Sequence, residues 1–166
     1  MIPIWRTALW QQFGAAIDML DNAIVACPDD LWNDSTHKPE FWYVAFHTLF
    51  FLDLYLSETT EGFAPPAPFT LSEMDPNGAM PERTYTKAET RGYLAHCRGK
   101  CRAGIEAMTD EHAVRNCHFR WLDLSAADLL FYNMRHVQHH TGQLNLILRQ
   151  QTNSAPSWVR VANRER

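Results

Sequence analysis

Apolar residues recur along this chain at spacings of three and four, with no convincing strand-like alternation, a periodicity that belongs to amphipathic helices packed side by side. Trp5, Leu9, Phe13, Ala16 or Ile17, Leu20 and Ile24 form the first stripe, predicting a helix over about 4–26 that Pro28 stops. A second helix is predicted over about 39–59, with Pro39 in the first turn, where a missing N–H costs nothing, and Gly62 and the following prolines beyond its end. The third, about 87–108, opens on Thr86 and Glu89, the spacing of a capping box. Ser125 and Asp128 open the fourth, about 126–151, in a similar way. The expected fold class is all-α, a four-helix bundle.

Between the second and third helices runs a long connection, about 61–85, carrying Pro65, Pro66, Pro68, Pro76, Gly78 and Pro81. A stretch of this length without regular structure is either a functional loop or a crossover between distant helix ends. Phe63, Phe69, Leu71 and Met74 are too many apolar residues for a free tether, so the connection should pack over the bundle. His112, Cys117, His118 and Trp121 precede the fourth helix without a recognised ligand spacing, and surface and packing roles are expected for them. The tail from Thr152 is polar, with Trp158 as its one docking anchor. At 166 residues, 46% hydrophobic with six Trp and nine Phe, the chain is expected to form one domain over 1–166.

A net charge of −4 with scattered Lys and Arg supplies no basic stripe for a phosphate backbone, which argues against nucleic acid. His47 and Asp53 interrupt the most apolar run well short of a membrane span, so no membrane association and a soluble, cytoplasmic protein are expected. Four cysteines are too few for a disulfide scaffold. Cys97 and Cys101 continue the stripe Leu94, Cys97, Cys101, Ile105, Met108 and read as small core hydrophobes. No glycine-rich phosphate loop or serine-hydrolase elbow is present.

Histidines carry the candidate chemistry. His136 and His140 stand one helical turn apart in the stripe Leu129, Asn133, His136, His140, Leu144, Ile147, and His47 lies in the stripe Tyr43, Val44, His47, Phe51, Leu54. Two imidazoles at i and i+4 can share an ion at about 2.0 to 2.1 Å per bond, and a facing helix can add the third. Unpartnered imidazoles in apolar surroundings are costly, so these rings need either hydrogen bonds or a metal. Three histidines would leave a coordination position for water or substrate. Val137 stands where a zinc protease needs its glutamate, which disfavours protease-type hydrolysis by that motif. Imidazole alone does not choose among zinc, nickel, iron and copper. Tyr43, Asn133 and Gln143 flank the candidate ligands and serve either as substrate or outer contacts or as bundle packing. His139 points away from the pair.

His47 in FHTLFFLDLYL and the run HVQHHTGQL from His136 to Leu144 resemble the DinB superfamily of metal-binding bundles, which includes bacterial low-molecular-weight-thiol transferases. Its usual pattern, a histidine, three residues, then His-Arg-Gly-Gln, is matched at His140, Gly142 and Gln143, with Thr141 in place of the arginine. The resemblance implies up-down-down-up topology, a zinc or nickel-like ion held by His47, His136 and His140, and a homodimer. It also implies activation of a small thiol, such as mycothiol or bacillithiol, as thiolate for attack on an electrophile. A metal-dependent thiol S-transferase is therefore the expected function. The alternative is a non-catalytic stress-response protein with a structural metal, and a metal-free interaction module is a third reading.

Overall fold

The computed structural model describes residues 3–36 and 38–163; residues 1, 2, 37 and 164–166 lie outside the description. In chain order its elements are α1 (Pro3–Ala26), the single turn α2 (Asp29–Trp32), α3 (Phe41–Leu56), a 3-10 turn (Ser72–Met74), α4 (Lys87–Ala107), the single turn α5 (Asp110–Ala113), β1 (Asn116–Phe119), β2 (Leu122–Ser125) and α6 (Ala126–Thr152). The protein is thus mostly helical. Each long helix packs against two others: α1 and α3 both lie between α4 and α6.

Local chemistry sets the helix ends. Thr86 accepts a hydrogen bond from the Glu89 amide while the Glu89 carboxylate accepts from the Thr86 amide, and the Ser125 hydroxyl accepts from the Asp128 amide. At α3 the boundaries differ from those expected. Glu40 is an extended cap (φ −62°, ψ 152°), so Pro39 precedes the helix instead of occupying its first turn. Helix α3 stops at Leu56 because Glu58 takes a left-handed backbone (φ 60°), which breaks the repeat.

The hydrophobic core is built around α3. From Phe41 to Tyr55 every residue is buried except Tyr43, His47 and Phe51, which are spaced four apart and so form one partly open stripe. The long connection packs over the bundle: Phe69 stacks on Phe46 (5.8 Å, 11°) and meets Tyr93 (4.5 Å), while Phe63 stands edge-on to Phe50 (5.4 Å, 88°). Met74 is half-buried against the core, whereas Leu71 is exposed.

Two features depart from the sequence reading. An antiparallel hairpin pairs Asn116 with Ser125 and Phe119 with Leu122, burying Cys117 and Phe119 while Asn116 and His118 face outward. Strands of four residues present only two inward positions each, too short an alternation to stand out. In the tail, Trp158 is 69% exposed and is not the anchor. The segment docks through backbone groups instead: Ala162 donates to the Gln11 carbonyl (2.9 Å) and Asn163 to Asp18 Oδ2 (2.6 Å). Gly14 gives the Ala162 methyl room, since a Cβ there would stand 2.6 Å from it.

Candidate metal centre

Helices α3 and α6 run antiparallel where they meet, as Asn133 Nδ2 donates to the Leu52 carbonyl (3.0 Å) while His47, a turn earlier on α3, faces His136 and His140, later on α6. Ring centroids are separated by 5.5 Å for His47 and His136, 4.8 Å for His47 and His140, and 4.5 Å for His136 and His140. One nitrogen from each ring lies within 4.8 Å of the others. Donors around a tetrahedral ion at about 2.05 Å stand about 3.4 Å apart, so side-chain shifts on the order of 1 Å would bring these three into register. Among the described residues no other group of His, Cys, Asp and Glu converges in this way.

Outer contacts fix two of the rings. His47 Nδ1 lies 2.6 Å from Glu73 Oε2, and because a carboxylate only accepts, that nitrogen carries a proton, which leaves Nε2 as the atom a metal would bind. His140 Nδ1 lies 2.7 Å from Gln143 Oε1, with the same consequence for its Nε2. The Glu73 side chain is only 6% exposed and also hydrogen-bonds the Tyr43 hydroxyl, whose burial, with Glu73 beside it, holds its pKa well above the ordinary phenol range. His136 lacks such support, since its Nδ1 is buried with no hydrogen-bond partner. Burial, followed by the neighbouring His140 and His47, pushes its pKa down to about 3, and burial also lowers that of His140. Neutral rings with lone pairs turned inward are what a divalent ion requires.

The histidines do not sit in a sealed core. The buried line on α6 runs Leu129, Leu130, Asn133, Val137, Thr141, Leu144 and Leu148, so His136 and His140 lie on its flank, half-buried. They open with His47 onto a cleft of about 730 Å³ walled by Phe51, Tyr55, Trp121 and Tyr132, with Arg120 from the hairpin turn and Glu73 from the long connection. The Trp121 indole N–H donates to the Tyr55 hydroxyl (3.2 Å).

Of the three flanking residues singled out in the sequence, Tyr43 contacts Glu73 and Gln143 contacts His140, so both act one contact behind the rings. Asn133 is buried in the α3–α6 packing and lies outside the cleft lining. Exposed His139 meets Gln143 Nε2 (3.2 Å). His112 bonds Glu58 (2.7 Å), His118 lies 3.8 Å from Asp123, and all four cysteines are free and buried. Burial raises the pKa values of Cys97 and Cys101 far above the ordinary thiol range, which leaves them inert. Glu73 and Arg120 were missed: one lies on a proline-rich connection and the other on an unforeseen turn, and neither position has a periodicity to mark it.

Fold and site together define a helical bundle with a three-histidine cluster suited to a metal at the floor of an aromatic cleft. The chain belongs to the DinB superfamily, whose family model matches residues 12–144, a span that contains all three histidines. No curated protein matches the chain.

Proposed function

We propose that this protein is a metal-dependent enzyme that transfers the sulfur of a small thiol to an electrophile, with His47, His136 and His140 as ligands of a divalent ion of the zinc or nickel type. The single observation that carries the reading is the convergence of one nitrogen from each of His47, His136 and His140 within 4.8 Å of one another, with the opposite nitrogens of His47 and His140 held by Glu73 and Gln143. Such an ion, when bound, stabilises thiolate over thiol at neutral pH. Glu73 and Gln143 hold the protons on the outer nitrogens and so fix which face of each ring is offered. Phe51, Tyr55, Trp121 and Tyr132 line a space large enough for a thiol and the apolar part of an electrophile, and limit the water that reaches it. We further read the bundle as up-down-down-up. Supporting this, Arg6 meets Met108 and Asp21 meets Arg91 across antiparallel α1 and α4, while Cys97 meets Leu49 and Lys100 meets Asp53 across parallel α3 and α4.

Metal content after purification without an affinity tag tests the first half, with one ion per chain expected. Cobalt substitution tests the second: adding a small thiol should produce a thiolate-to-cobalt charge-transfer band. If the metal raises the melting temperature but no thiol gives the band, the metal is structural and the transferase reading falls.

A further inference from the structure

Among the described residues, one guanidinium, that of Arg120, lines the cleft beside the histidines. Arg120 occupies the hairpin turn between Phe119, which is buried edge-on to Tyr55 (5.4 Å, 90°), and Trp121, which is bonded to the Tyr55 hydroxyl. With both neighbours anchored, the turn is held in place and Arg120 lines the cavity. The cavity's acidic groups are already engaged: Glu73 by His47 and Tyr43, and Asp75 by the Asn77 amide (2.7 Å). Arg120 itself has no hydrogen-bond or ion-pair partner among the described residues. Arg120 is an exposed residue on a fixed turn, and without a partner in the chain its guanidinium is open to an anion from outside, where the planar fork of arginine matches a carboxylate with two parallel hydrogen bonds.

We infer that Arg120 is a specificity residue that binds a carboxylate on the small molecule entering the cleft, so that the thiol used there is an acidic one. The inference rests on the thiol reading of the site. Because the guanidinium is on the hairpin and the histidines are on α3 and α6, the ligand is gripped at two ends by separate elements. Its carboxylate is therefore set apart from its sulfur, and the sulfur is directed to the cavity floor.

The test is calorimetric titration at pH 7 of the metal-loaded protein and of its Arg120→Gln variant with 3-mercaptopropionate and 2-mercaptoethanol. The acidic thiol should bind the unaltered protein about tenfold or more tightly than the neutral one, the scale of a charge-assisted hydrogen bond. Arg120→Gln should abolish that preference while leaving metal content and 2-mercaptoethanol affinity unchanged. A preference that survives the substitution, or equal weakening of both thiols, overturns the assignment. If neither thiol binds, the thiol reading has failed, and 3-phenylpropionate and 3-phenylpropanol are titrated in their place. An Arg120-dependent preference for the acid then upholds the carboxylate site, and equal or absent binding ends it.

Discussion

Helix α3 carries a polar cluster on each of two sides, and the two are completed differently. On one side the Asp53 side chain, 2% exposed, accepts from Lys100 (2.5 Å) and from the Tyr93 hydroxyl (3.1 Å), with the His96 ring 3.6 Å away. Lys100 in turn donates to the Asp53 carbonyl (3.1 Å) and the Ser57 hydroxyl (2.6 Å). Every charge there has its partner within the chain. On the other side, His47, His136 and His140 converge, with Nδ1 of His47 and of His140 held by Glu73 and Gln143 and no partner for Nδ1 of His136. A cluster that satisfies itself joins helices, whereas one that leaves donors free in a cleft is built for something the polypeptide does not supply.

The sharpest way to break this contrast is to remove the rings one at a time. His47→Ala, His136→Ala and His140→Ala should each lose stoichiometric metal by mass spectrometry, while His96→Ala and His112→Ala retain it. Retention by any of the first three would mean that the rings do not share one ion. Next in size, Asp53→Ala should lower the unfolding free energy by about 3 kcal/mol in urea, the low end for breaking a buried pair because Lys100 is partly exposed, without changing metal content. A loss of metal there would join clusters held here to be independent. Glu73→Gln keeps the shape but removes the carboxylate behind His47, and chelator competition should show affinity weaker by about tenfold.

The contrast also has a pH side, in metal-stripped protein. The folded pKa of His136 is near 3, below its ordinary value of about 6.5, so between those limits the unfolded chain binds more protons. Stability from this group is full above about pH 6.5 and is lost as pH falls toward 3. Urea midpoints at pH 7 and 4.5 should show the decline, and His136→Asn should flatten it.

The meeting of the three histidines was legible because two independent periodicities, one on each helix, carried their rings toward the bundle interior. The rotation of α6 was less legible. Val137 and Thr141 lie one position on from His136 and His140 and take the buried line, a shift that packing against α1 and α3 decides and that spacing alone does not reveal. The polar residues behind the rings divide in the same way. Gln143 lies three residues from His140 on the same helix and could be suspected from spacing, whereas Glu73 reaches His47 across 26 residues of chain through a single 3-10 turn. The hairpin that presents Arg120 depends on tertiary burial of Cys117 and Phe119 more than on any local pattern.

That single turn joins the fate of the crossover to the occupancy of the site. Among the described residues Glu73 is the one carboxylate touching a candidate ligand, and it sits midway along the strap spanning α3 and α4. By reciprocity, any guest that favours His47 in its present orientation must favour the seated strap by the same free energy, and loosening the strap must loosen the guest. Protease susceptibility around residues 70–80 therefore serves as a gauge of what the histidines hold, readable without observing the ion.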